Sequence, residues 1–62
     1  MPYYRCYFFQ DGHVARAEDG EHADDAAALA WASELHRATP EYPDMEVWQG
    51  SRLVRKRRSD GT

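Results

Sequence analysis

Between Asp24 and Thr39 the apolar positions return with a helical period. At about 100° per residue, Ala28, Ala32, Leu35 and Thr39 fall on one line. Trp31 and Leu29 flank that line, and Ala26, Ala30, Ser33, Glu34 and Arg37 point away. This pattern predicts an amphipathic helix with one packing face. Its mostly alanine stripe lets the helix lie close to whatever it covers. Asp24 is placed to cap the free amides of the first turn, Asp25 and Arg37 complement the two ends of the macrodipole, and Pro40 forbids continuation.

The flanking segments alternate with period two or are rich in strand formers. Tyr3 to Phe9 (YYRCYFF) reads as a first strand. Asp11-Gly12 is a two-residue hairpin signal, and His13 to Glu18 returns as a second strand. A tight turn pairs Phe9 with Val14, Phe8 with Ala15, Tyr7 with Arg16, Cys6 with Ala17 and Arg5 with Glu18. One side then carries Tyr4, Cys6, Phe8, Ala15 and Ala17. The other carries Arg5, Tyr7, Phe9, Val14, Arg16 and Glu18. The first is assigned to the helix because its small residues admit close approach. A one-residue bulge reverses strand two and is expected to send Val14 inside.

Asp19 to Ala23 reads as a polar connection, and Thr39 to Asp44 as a loop stiffened by two prolines. Met45 to Gln49 is a third strand, Gly50-Ser51 a second turn, and Arg52 to about Arg57 a fourth strand. Here the expected pairs are Trp48 with Leu53, Val47 with Val54, Glu46 with Arg55 and Met45 with Lys56. Met45, Val47 and Val54 would face the helix. The order is strand, strand, helix, strand, strand. It predicts an α+β, two-layer domain over residues 1–58, in which a four-stranded antiparallel sheet is covered on one side by one helix. Residues 59–62 are expected to form a frayed tail.

One helix covers one side only. On these registers the uncovered side gathers Tyr3, Tyr7, Phe9, Val14, Trp48 and Leu53, with Arg5, Arg16, Arg52 or Arg55 nearby. Contiguous apolar surface of this kind marks a contact. Tyr7, Phe9, Trp48 and Leu53 are the expected anchors of a homo-oligomer or partner interface, with Arg52 and Arg55 as its polar rim.

Charge sharpens a second reading. Net charge is −3, but residues 17–46 hold nine acids against Arg37 alone, whereas residues 47–62 hold five bases against Asp60. The run Arg55-Lys56-Arg57-Arg58 beside sheet aromatics suggests a nucleic-acid-binding module as the alternative. The acidic balance and the lack of an RNP-type aromatic and glycine pattern weigh against it, and an edge strand blunted by like charges explains the run more simply.

Catalytic chemistry finds little support. His13 lies four positions from Cys6 along the hairpin, roughly 13 Å, too far for a nucleophile and its base. Cys6 reads as a small core residue. His22, Asp24 and Asp25 include metal-ligand types, but both aspartates are explained by capping, and no set of four ligands at zinc spacing occurs. No phosphate loop, nucleophile elbow or HExxH is present. The expectation is a non-enzymatic domain with no cofactor, metal or small-molecule substrate. At 62 residues it is marginal alone without disulfides, so tight packing or self-association is expected. A single cysteine and the lack of a signal peptide or a long apolar run set the expected location as cytoplasmic, with no membrane partner.

Tyr7-Phe8-Phe9 with Asp11-Gly12, then Asp19-Gly20, the acid-capped helix Asp24 to Leu35 and Met45-Glu46-Val47 resemble a group of small bacterial proteins of unknown function, often alphaproteobacterial. The likeness runs to about Val54. It implies the same aromatic strand, turn, helix and final hairpin, and no activity. The hairpin feeding an acid-capped helix is also faintly similar to HicB-type antitoxin domains. Their proline-rich Pro-Asp-Leu-Pro-Gly-Cys loop and the strand after it are missing.

Overall fold

The computed structural model describes residues 2–57. Strands β1 (Tyr3–Gln10) and β2 (His13–Glu21) precede helix α1 (Asp25–Ala38), and β3 (Asp44–Gln49) and β4 (Arg52–Arg57) follow it. They form one antiparallel sheet in the order β2-β1-β3-β4, an α+β domain. The expected tail at 59–62 lies outside the described residues.

The core is a single layer between helix and sheet. Tyr4, Cys6 and Phe8 from β1, Met45 and Val47 from β3, and Ala28 and Ala32 from α1 are buried together. Leu29, Trp31, Leu35, Tyr42 and Val54 close its rim. Two alanines at the closest approach let the helix backbone sit low over β1 and β3. The helix begins as the sequence predicts: Asp24 is extended, and its Oδ1 accepts from the Ala27 amide at 2.9 Å. It ends at Thr39, whose hydroxyl donates to the Leu35 carbonyl at 2.9 Å.

The turns follow their residues. Asp11 and Gly12 both have positive φ, 54° and 80°, as a type I′ hairpin requires. Gly50 alone is positive in the second turn, at 60°, which fits glycine at the first central position of a II′ turn.

Two registers differ from expectation, each through one bulge. In β2, Gln10 pairs with His13 and Phe9 with Val14 as expected. Ala15 is then extra, and Phe8 meets Arg16, Tyr7 meets Ala17, Cys6 meets Glu18 and Arg5 meets Asp19. The bulge reverses every later residue of β2, so Ala17 joins the open side while Arg16 and Glu18 pass to the helix side. Ala15 and Ala17 are exposed rather than core. Val14 precedes the bulge, keeps its place beside Phe9 and is 53% exposed; it does not turn inward. β2 also runs on through Asp19-Gly20-Glu21, where a connection was expected.

In the second hairpin Val54 is the extra residue. Trp48 pairs with Leu53, but Val47 meets Arg55, Glu46 meets Lys56 and Met45 meets Arg57. Val54 still packs on the core rim.

Candidate interaction surface

The helix leaves one side of the sheet bare. Along β1 that side presents Tyr3, Arg5, Tyr7 and Phe9, because their neighbours Tyr4, Cys6 and Phe8 are buried beneath the helix. The antiparallel register sets Trp48 of β3 opposite Arg5 and Glu46 opposite Tyr7. These residues, with Val14 and the Gly50-Ser51 turn, enclose a shallow groove of about 620 Å³ along the length of β1.

The polar groups of this surface pair with one another. Glu46 accepts from the Trp48 indole at 3.0 Å and pairs with Lys56 at 3.7 Å. Arg5 meets Asp19 at 3.5 Å. A hydrogen bond to Asp19 lifts the pKa of the Tyr3 hydroxyl above its ordinary value. Both charge signs are present, so the surface is apolar and aromatic with balanced charges at its borders.

The expected anchors Tyr7, Phe9 and Trp48 line the groove together. Leu53 sits opposite Trp48 and is 43% exposed. The expected rim does not form. Arg52 turns to the other side, where its guanidinium grips Asp25 at 2.9 and 3.2 Å and Gln49 at 2.6 Å. Arg55 stands opposite Val47, a residue buried under the helix. The bulge at Val54 causes the exchange: it moves Arg55 off the open side and brings Lys56 onto it. Lys56 and Arg5 are the border cations instead. Nothing in the alternation of β4 marks Val54 as the extra residue.

The basic run is divided in the same way. Lys56 sits opposite Glu46, and Arg55 and Arg57 sit opposite Val47 and Met45. Arg58 lies outside the described residues. The aromatic row and the cations therefore do not share one continuous strip.

The helix side carries its own polar knot. Asp25 accepts from the Tyr4 hydroxyl at 2.7 Å as well as from Arg52. The Arg52 hydrogen bond, then that of Tyr4, holds the Asp25 carboxyl below the usual carboxylate range. The imidazole of His22 lies against the Trp31 ring, centroids 4.5 Å apart. His36 Nε2 meets the Tyr42 carbonyl oxygen at 2.8 Å, tying the post-helix loop to the helix. Cys6 is enclosed, and burial pushes its thiol up to about 12. Among the described residues no three His, Cys, Asp or Glu side chains converge as a metal would need.

No helix of the described residues is long and apolar enough to cross a membrane. The chain matches no protein-family model, no curated protein and no solved structure.

Proposed function

We propose that this domain acts by contact rather than by chemistry, and that the occupant of its open sheet surface is a second copy of itself. The carrying observation is the aromatic row around one groove, Tyr3 exposed and Tyr7, Phe9 and Trp48 partly buried. A Cα envelope of 32 × 21 × 21 Å gives its largest faces an outline of about 670 Å². That approaches the ~800 Å² per partner of a standard interface. Arg5 and Lys56 beside Glu46 and Asp19 supply both signs, which a two-fold contact needs in order to match itself. The reading places the domain in the bacterial cytoplasm, where its one thiol stays reduced.

Light scattering over a dilution series tests this. Wild-type protein is expected to sediment and scatter as a dimer that dissociates on dilution. Trp48→Ala is expected to weaken association about thirtyfold, near 2 kcal/mol, with an unchanged circular dichroism spectrum. A wild type that stays monomeric, or a Trp48→Ala chain that unfolds without any change in association, defeats the reading. Mobility shift of an oligonucleotide at low salt, lost steeply as salt rises, would favour nucleic-acid binding through Arg55, Lys56, Arg57 and Arg58 in its place.

A further inference from the structure

The two edges of the sheet are not alike. β4 is six residues long and carries Arg52, Arg55, Lys56 and Arg57. Two-fold pairing of β4 with itself about any of its residues but Leu53 brings bases against bases, so this edge is guarded. β2 is nine residues long and has neither lysine nor proline. Its charges are mixed, and every residue from His13 to Ala17 is exposed.

Around Ala17 the charges of β2 are arranged as a palindrome. Arg16 precedes it and Glu18 follows it, and the two already pair within the strand at 2.7 Å. Both lie on the helix side, opposite Phe8 and Cys6. An antiparallel partner strand related by a two-fold axis through Ala17 sets Arg16 opposite Glu18 of the second copy, and Glu18 opposite its Arg16. Directly opposed side chains in such a pair have Cβ atoms about 5 Å apart. Moving the axis to Arg16 sets arginine against arginine, and moving it to Glu18 sets glutamate against glutamate. Of these three axes, charge favours the one at Ala17, which alone sets Arg16 against Glu18 in both directions. At the bulge, Asp19 of each strand, whose carboxylate pairs with Arg5 of its own chain, passes the small Ala15 of the other.

We infer that β2 is a second self-association surface, pairing edge to edge with β2 of another copy about an axis at Ala17 and continuing the sheet to eight strands. This is separate from the open-surface contact. A copy seated over Tyr7 and Trp48 touches neither Arg16 nor Glu18, which lie on the other side of the sheet.

Charge-swap variants in a Trp48→Ala background, followed by analytical ultracentrifugation up to about 1 mM, decide the matter. Arg16→Glu and Glu18→Arg each place like charges opposite one another and are expected to raise the dissociation constant by about tenfold or more. The double variant R16E/E18R restores opposite charges across the axis and is expected to recover wild-type association to within about threefold. Both singles stay folded because the in-strand pair is exposed, and circular dichroism checks this. A Trp48→Ala chain that is monomeric throughout, or singles that associate like their parent, overturn the inference. So does tighter association of Arg16→Glu with species beyond a dimer. That result assigns β2 to the basic β4 of a neighbour in a head-to-tail array, because the substitution makes β2 more acidic.

Discussion

Cys6 shows how far a single residue is governed by its seat. It is fully enclosed by helix and sheet, and its Sγ lies 3.8 Å from the Met45 sulfur. Burial is the larger cause of its raised pKa and the nearby Glu18 carboxylate the smaller; together they push the thiol up to about 12. At pH 8 about one molecule in ten thousand then carries the thiolate, against a substantial minority for a free cysteine. Native protein is therefore expected to resist iodoacetamide at pH 8 for hours and to be alkylated rapidly in urea, read by intact mass. Fast labelling of the folded chain would mean that the thiol is reached from solvent, and that the β1 alternation does not hold it in the core. The residue scale is also where the sequence is most legible. The alternation of Tyr4, Cys6 and Phe8 against Arg5, Tyr7 and Phe9 places six side chains on their proper sides without reference to any other strand.

Between elements, the Asp25 carboxylate joins α1 to β1 through Tyr4 and to β4 through Arg52. Its pKa is lowered chiefly by Arg52, so its contribution to stability is present above the unfolded carboxylate value, about 3.9, and is lost as pH falls through the folded one. Arg52→Gln lets the folded value rise toward the ordinary one. The variant is expected to be less stable than wild type at pH 7 and to converge with it once pH falls below the lowered Asp25 value, measured by urea unfolding across pH. A constant gap at all pH values would assign the loss to packing of the Arg52 stem instead.

Arg55 is the rim residue that the expected pairing places on the wrong side. The turn residues Asp11-Gly12 and Gly50-Ser51 set the first pairs of each hairpin, and those pairs hold. Further along, the register depends on how the sheet fits beneath the helix. A bulge at Ala15 or Val54 costs one unpaired residue and leaves no mark in the local pattern, because alanine and valine suit either side of a strand. The helix, with its cap, stripe and stop written into a continuous stretch, has no such freedom. The open surface was thus legible in its β1 and β3 anchors, whose places depend on alternation near a turn. Its rim was not, because Arg55 and Lys56 lie beyond a bulge.

For the whole molecule, one layer of core under one helix makes stability uneven across the sheet. β1 and β3 are paired on both sides and roofed by α1, whereas β2 and β4 each have a free edge. Opening an edge strand breaks one ladder and exposes little of the core; opening β1 breaks two ladders and exposes Tyr4, Cys6 and Phe8. Hydrogen exchange is therefore expected to be slowest at amides of Tyr4 to Phe8 and Met45 to Trp48, reporting global unfolding. Amides of Ala15 to Glu18 are expected to exchange through local opening, faster by orders of magnitude in dilute protein. Raising the protein concentration should slow exchange along β2 if a second strand covers that edge, and leave β4, guarded by its four bases, unchanged. Equal slowing of both edges would point to a general effect of association on stability. Protection of β2 that matches β1 at every concentration would mean that the edge is already closed within one chain. The same amides thus report both the weakness of a one-layer core and the surface by which this fold relieves it.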